Sequence, residues 1–336
     1  SEKLRAFVKK MHDEGAAGFA DGPSPWETWD DKSGILGNNR VWEGTSKRIY
    51  PKNRRKPSLG DRVLSGLATL SLANYGYLYA LNAAGMFLFL GSFEFVYYVR
   101  RKQENRFKYN GKFPADHPSD VFWFKSQNLD NFLRSFLITI PLWSVVEIVM
   151  LWAYANTWAV WLPWSTHWIW LSVVILIAPA VHEVYFFFLH SAIHWPPLYK
   201  YINSVHHNSI KPSPWSSLSM HPGEGFPYMA EAWLHLLIPS NPVCAYFTLH
   251  SVGFGAVNGH LGFEKFELTE ARTLDSHAYV HYLHHKYFEV YFGGDGLVPL
   301  DKLFGTWHDG SKEADERMKA RFRQKKERMK ARQAAT

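Results

Sequence analysis

Residues 190–194 read His-Ser-Ala-Ile-His and begin a series of three histidine groups. The second group is Asn-Ser-Val-His-His at residues 203–207, and the third is His-Tyr-Leu-His-His at residues 281–285. On a helix, residues three or four positions apart share a face, so the histidines of each group are predicted to point the same way. Imidazole nitrogen suits iron, zinc or copper, and histidines grouped in this way indicate a metal site rather than separate packing residues. The candidate metal ligands are His190, His194, His206, His207, His281, His284 and His285.

These motifs resemble those of the fatty acid hydroxylase/sterol desaturase superfamily, a group of membrane di-iron oxygenases. That family has one HxxxH box and two HxxHH boxes, with a glycine turn and an Asp-x-Leu-Phe-Gly-Thr sequence after the third box. This chain has glycines at 293–294 and Asp-Lys-Leu-Phe-Gly-Thr at 301–306. The Tyr-Lys-Tyr sequence at 199–201 and the His-Pro-Gly-Glu sequence at 221–224 also fit the family pattern, so the resemblance covers roughly residues 130 to 308.

The resemblance implies an enzyme that hydroxylates or desaturates a C–H bond of a membrane lipid, either a fatty acyl chain or a sterol. Two iron ions bound by the imidazoles would activate dioxygen, and no catalytic residue beyond this metal centre is expected. Electrons would come from a separate donor, such as a cytochrome b5 or a reductase, because the chain shows no flavin, nicotinamide or haem motif. The resemblance also implies the endoplasmic reticulum membrane. The same ligands suit zinc, which is the alternative metal.

Three residues depart from the family pattern and support a second hypothesis. Asn203 stands where the second box should begin with histidine, Ser191 replaces the usual arginine, and Tyr291 replaces the asparagine of the usual turn. In this partly degenerate box, Asn203 is a further candidate ligand, directly or through a water molecule. Under the second hypothesis the site has decayed and holds no metal. The protein is then an accessory subunit with partner membrane subunits, for example in a respiratory complex of the mitochondrial inner membrane.

Four more residues are candidates for the metal centre or its surroundings. His260 stands where the family often has another histidine ligand, and His277 precedes the third box by four residues, one helical turn. An equal alternative for His277 is a histidine at the start of that helix. Glu183 lies in an apolar stretch, where a carboxylate is costly. It matches an acidic family position seven residues before the first box, so Glu183 and Asp275 are predicted to bond to ligand histidines.

Two other histidines are ambiguous. His182 lies two helical turns before the first box, about 12 Å away at 1.5 Å per residue, which favours packing over binding the same metal. His221 and Glu224 could be a ligand and its neighbour, or a loop histidine with an exposed carboxylate.

The composition indicates a membrane protein. Aromatic residues make up 17% of the 336 residues, and fifteen of them are tryptophans, which are typical of membrane–water interfaces. The single cysteine, Cys244, excludes disulfides within the chain. Residues 1–61 are polar, and no signal peptide is expected in them. Residues 312–332 are predicted to form a charged helix that carries most of the net charge of +7. No nucleic-acid partner is predicted, because no recognition fold accompanies this charge.

The apolar stretches predict an all-α, multi-pass membrane bundle with about four spans and a short re-entrant hairpin. Residues 63–99 would span about 54 Å as one helix, so a hairpin that breaks near 82–85 is predicted there. Two further spans are predicted at 131–153 and 168–189, and the re-entrant hairpin at 226–258, broken at 238–242. Basic residues at 54–56 and 100–102 would then flank the first hairpin on one side, and the histidine groups would lie on that side too.

Four regions follow from this organisation. They are a polar extension (1–61), an N-terminal membrane hairpin with a basic loop (62–130), the fatty acid hydroxylase-like membrane domain (131–308) and the basic tail (309–336).

Overall fold

The computed structural model describes residues 65–109, 111, 113–114, 118–269, 271–294 and 296–334. The predictions for residues 1–61, including the basic run at 54–56, lie outside the described residues. From Leu67 to the C-terminal helix the described chain forms one compact unit.

Three long helical stretches are apolar enough to cross a membrane. Helix α1 (Leu72–Phe93) continues through a π-helical turn to Val99. Helix α2 (Gln127–Arg134) runs through another π-helical turn into α3 (Ile140–Ala155), and α4 is Trp164–Ile193. The three stretches contain 28, 29 and 30 residues, and each is longer than a hydrocarbon core of about 30 Å. The predicted all-α membrane bundle is therefore confirmed.

The predicted hairpin within residues 63–99 is wrong, because α1 passes through residues 82–85 without a break. The polar side chain of Asn82 suggested a turn, but it is buried against α3. Its amide donates to Ser144 Oγ at 3.1 Å and to Glu147 Oε2 at 2.7 Å. A partner helix satisfies this polar group, so the helix continues. The described residues thus contain three candidate spans instead of four.

The chain after α4 forms helices that are each shorter than α4. The helices are α5 (Pro196–Leu198), α6 (Ser204–His207), α7 (Pro222–Met229), α8 (Pro242–His260), α9 (Tyr279–Tyr287), α10 (Leu300–Leu303) and α11 (Lys312–Ala334). A 3₁₀ segment, Ala230–Leu236, precedes the break before α8. That break was predicted at residues 238–242. Asn241 is the N-cap of α8, because its side chain accepts a hydrogen bond from Val243 N–H at 2.9 Å.

A small antiparallel hairpin, β1 (Lys265–Thr269) and β2 (Arg272–Asp275), connects α8 to α9. The sequence did not predict it. Asp275 lies exposed on β2, and its carboxylate is 3.6 Å from Lys265 Nζ across the hairpin. The predicted role of Asp275 beside a ligand histidine is therefore wrong.

The ends of several helices meet at one end of the bundle. The Tyr98 hydroxyl, at the end of the first membrane stretch, donates to the carbonyl oxygens of Pro212 and Leu261 at 3.1 and 2.9 Å. Pro212 follows the second histidine box, and Leu261 follows the end of α8. The basic residues after Val99 are therefore at the same end of the bundle as the histidine groups, as expected, and the compartment that this end faces stays a prediction.

The predicted C-terminal helix is confirmed as α11, and its first half packs on α9. Met318 of α11 lies in a buried cluster with Leu283 and Tyr287 of α9, and Phe322 packs against this cluster. Asp315 accepts hydrogen bonds from Lys286 Nζ at 3.0 Å and from the Tyr287 hydroxyl. The helix that carries the third histidine box is thus braced from outside by α11.

Helices α3 and α8 approach closely at a glycine, which makes a stability test. A Cβ atom on Gly253 would lie 2.4 Å from the indole ring of Trp143. We expect Gly253→Ala to lower the free energy of unfolding by about 1–3 kcal/mol, because a buried indole must shift. Gly255→Ala, on the same helix with no atom within 4 Å of the new Cβ, is the matched control. It should keep or raise the melting temperature of the purified protein in detergent, since alanine favours helix. Equal melting temperatures for the two variants would contradict this packing.

Candidate metal centre

Eight histidines meet in two groups of four at the end of the bundle. Within each group the candidate ligand nitrogens all lie within 4.8 Å of one another. The first group is His190, His194, His207 and His284, and the second is His206, His260, His281 and His285. A metal–nitrogen distance of about 2.0–2.1 Å places two opposite ligands about 4 Å apart. The spacing therefore fits one transition-metal ion in each group.

Neighbouring histidines of the second and third boxes enter different groups. His206 and His207 are successive residues, and successive side chains on an α-helix diverge by about 100°. The third box divides in the same way, since His284 joins the first group while His281 and His285 join the second. The three histidines of the third box do face the same centre, since their ring centroids lie 4.7 to 5.9 Å apart, but they divide between its two groups. Each of these two boxes contributes to both groups.

Backbone carbonyls determine which ring nitrogen carries the proton in four of the eight histidines. His190 Nδ1–H donates to the carbonyl oxygen of Phe292 at 2.8 Å. The Nδ1–H groups of three other histidines donate in the same way: His206 to Ser219 at 3.2 Å, His260 to Ala256 at 2.9 Å and His284 to Val290 at 2.6 Å. Since a carbonyl oxygen can only accept, these rings carry their proton on Nδ1. Their Nε2 atoms are left with free lone pairs.

These lone pairs face one another. His206 Nε2 and His260 Nε2 are 3.2 Å apart, although the carbonyl bonds leave no proton between them. Two lone pairs at this distance repel each other, whereas a cation between them would be attracted by both. The chemistry of the donor set thus fits a bound metal.

Burial keeps the imidazoles neutral, as metal ligands must be. Burial lowers the pKa of His206 to about 4. It also lowers the pKa values of His207, His284 and His285 well below the ordinary value, and the neighbouring histidines lower them further. Removal from water disfavours the imidazolium form. The rings are therefore ready to bind a cation at neutral pH.

Asp301 organises the backbone around the first group. Its carboxylate accepts hydrogen bonds from the backbone N–H groups of Phe292, Gly293 and Gly294 at 2.9, 2.9 and 3.1 Å, and from the Thr306 hydroxyl. The carbonyl of Phe292 is the acceptor for His190, so Asp301 orients this histidine through one peptide unit. The Asp-Lys-Leu-Phe-Gly-Thr motif alone does not predict this role of its aspartate, because the role depends on where the loop at 292–294 lies.

Other candidates from the sequence lie elsewhere. Glu183 does not bond to a ligand histidine as predicted, because its carboxylate accepts the N–H groups of Leu297 and Val298 at 2.8 and 2.6 Å. The sequence alone does not show that Glu183 binds this loop, because the loop is more than 100 residues away in the chain and approaches Glu183 only in the folded protein. His277 is exposed and precedes α9, so it belongs to neither group. This matches the alternative of a histidine at a helix start.

Asn203 is fully buried, and its amide donates to Glu224 Oε1 at 2.9 Å. Burial raises the pKa of Glu224 to about 8. The four imidazoles of the second group are complete without a residue at position 203, because His260 supplies the fourth. A direct or water-mediated role of Asn203 at the metal stays a prediction.

His221 and His182 have other partners. His221 Nδ1 accepts a hydrogen bond from Gly223 N–H at 3.0 Å and thereby caps α7. His182 Nδ1 lies 2.6 Å from Oε2 of Glu231, a fully buried carboxylate with no motif in the sequence to mark it.

A cavity of about 240 Å³ borders both histidine groups. Its polar wall contains histidines from each group and Glu224, and its apolar wall includes Phe186, Met220 and Tyr228. A small molecule with an apolar body could therefore reach the ligand nitrogens from this cavity.

Comparison with known proteins supports the family suggested by the histidine boxes. Residues 175–306 match the model of the fatty acid hydroxylase family. A Delta(7)-sterol 5(6)-desaturase of Aspergillus fumigatus is 26% identical over 149 residues, which are 44% of this chain and 42% of that protein. A methylsterol monooxygenase of the same organism is 30% identical over 35% of this chain and 41% of its own length. A Delta(7)-sterol 5(6)-desaturase of Gibberella zeae is 27% identical over 38% and 39%.

The resemblance to the fatty acid hydroxylase/sterol desaturase superfamily is thus confirmed. The chain spans about two fifths of the length of the curated relatives that it matches. No solved structure matches it.

Proposed function

We propose that this membrane protein of the fatty acid hydroxylase/sterol desaturase superfamily is a di-iron oxygenase that hydroxylates or desaturates a C–H bond of a lipid. The observation that carries the proposal is the pair of four-histidine groups, whose ligand nitrogens converge beside one cavity. Nitrogen ligands of this kind suit iron. When bound, two iron ions would supply the activation of dioxygen.

The chain's own residues would hold, orient and shield this chemistry. The eight imidazoles would be the metal ligands, and the carbonyls of Phe292, Ser219, Ala256 and Val290 would hold four of them in the required orientation. The walls of the cavity would position the apolar substrate and exclude water.

A lipid substrate is supported by the surroundings of the cavity. The histidines lie at the end of three helices that are long and apolar enough to cross a membrane. The relatives are named for reactions on sterols, which supports a sterol or another membrane lipid as the substrate. We place the protein in the endoplasmic reticulum membrane on the same grounds. An external electron donor, such as a cytochrome b5 or a reductase, would complete the reaction.

The test is the metal content and lipid oxidation of the purified protein. We expect about two iron ions per chain, and oxidation of a fatty acyl or sterol substrate that requires dioxygen and an added reductase system. Protein that contains zinc and oxidises no lipid when reloaded with iron would contradict the proposal. Metal-free, inactive protein that co-purifies with other membrane subunits would instead support the accessory-subunit hypothesis.

A further inference from the structure

Three cavities follow one another along α4. The first, about 290 Å³, is lined by Val174, Ile177, Ala178 and Val181 of this helix, with Leu237 and Ile238 opposite. The second, about 160 Å³, shares Ala178 with it and reaches His182. His182 also lines the cavity at the histidine groups. The three together extend from Val174 to His190, about 24 Å of helix.

The outer end of this series is apolar and borders exposed apolar side chains. Leu237 is 81% exposed and Ile177 46% exposed, although both line the first cavity. An apolar molecule dissolved in the bilayer could therefore enter here without crossing water.

Glu231 lines both the first and the second cavity, and its side chain is fully buried. Its Oε2 atom pairs with His182 Nδ1, but its Oε1 atom has no hydrogen-bond partner among the described residues. A buried carboxylate oxygen without a donor costs free energy. Among apolar walls, the ligand that would satisfy it is an apolar molecule with one hydrogen-bond donor.

We propose that Glu231 anchors the hydroxyl group of a lipid whose apolar body lies along α4 in these cavities. The lipid hydroxyl donates to Glu231 Oε1, and His182 holds the carboxylate in place from its other oxygen. Glu231 is thus the residue that selects hydroxylated lipids over hydrocarbons. That this lipid is the substrate of the oxygenase rests on the proposed function.

The test compares the binding of matched lipid pairs to the purified full-length protein in detergent. The probes are cholesterol and cholestane, which lacks the hydroxyl, and octadecanol and octadecane. We expect the protein to bind the hydroxylated member of at least one pair about 10-fold more tightly, as a hydrogen bond to a charged group would give. The pair that shows the preference distinguishes a sterol from an acyl chain. Equal binding within both pairs would overturn the proposal.

Variants connect the preference to Glu231. Glu231→Leu should reduce the ratio of the affinities for the hydroxylated lipid and its matched hydrocarbon to about one. Glu231→Gln preserves the size of the side chain, and it should reduce the ratio several-fold, because a neutral acceptor bonds more weakly than a carboxylate. Glu147→Gln, at a buried carboxylate that lines none of the three cavities, is the control and should keep the ratio. If the leucine variant does not fold, an unchanged ratio in the glutamine variant would overturn the proposal.

The binding ratio needs neither turnover nor metal, so the two proposals fail separately. Metal-free protein that still prefers hydroxylated lipids through Glu231 would refute the oxygenase and keep the anchor. An active oxygenase without this preference would refute the anchor alone.

Discussion

Replacement of His260 by alanine is expected to lower the metal content from about two ions per chain to about one and to abolish lipid oxidation. His260 supplies one of four imidazoles in the second group and none in the first. Loss of a residue that only orients a ligand typically costs 10–100-fold in metal affinity or activity, so loss of a ligand itself should cost at least about 100-fold. The first group keeps its four histidines. Metal analysis and an oxygen-dependent activity assay on the same preparation measure both effects.

His250→Ala is the matched control for this experiment. His250 lies on the same helix, ten residues earlier, and belongs to neither group. Its ring is partly buried and stacks on Tyr246, so the variant removes an imidazole from the same helix without touching the ligand nitrogens. It should retain about two metal ions. A His260→Ala protein that also retains two ions and full activity would show that the second group is not a metal site.

Asp301→Ala is expected to remove metal from the first group and to destabilise the protein. The substitution leaves three partly buried backbone N–H groups and one hydroxyl without their acceptor, at up to about 1–3 kcal/mol for each group that water does not satisfy. It also frees Phe292, whose carbonyl holds His190. We expect metal affinity at the first group to fall about 10–100-fold, with the second group less affected. Titration of metal into apo-protein, together with thermal unfolding, separates the two effects.

Asp309→Asn provides the comparison for Asp301. Asp309 is exposed and follows the same segment of chain, and its carboxylate accepts the Ser311 N–H at 2.9 Å. Asp309 does not contact Phe292, so metal should bind the Asp309→Asn protein with the same affinity as the unsubstituted protein. If Asp301→Ala changed the melting temperature alone, with metal affinity at both groups unaltered, the orienting role of Asp301 would be disproved.

Local spacing was sufficient to identify most of the histidines that come together. His190 and His194 are one helical turn apart, and they do lie in one group. The distribution of His206 and His207 between two groups could not be read from spacing. It depends on how their short helix meets α4 and α9, and that is set by contacts between residues far apart in the chain.

The predictions that were wrong also depended on contacts with distant segments of the chain. Asn82, Ala83 and Gly85 suggest a turn when α1 is considered by itself, but Ser144 and Glu147 of α3 satisfy the asparagine. Glu183 is partly buried and Asp301 is buried, and both lie near the histidine boxes in sequence. Which of them acts on a histidine is decided by the backbone that each carboxylate binds, at 297–298 and at 292–294 respectively. Propensity and periodicity describe a segment alone, whereas these outcomes are decided by a second segment.

The division of neighbouring histidines between two groups determines when in the life of the chain the centre can form. Each group contains residues from the third box, about ninety residues after the first. During synthesis, therefore, neither site is complete until that box has emerged from the ribosome and α9 has reached the ends of α4 and α8. Any metal would therefore have to enter late in biogenesis, after α9 has reached the other ligands. A chain inserted without metal would keep its eight imidazoles facing one another at this end of the bundle.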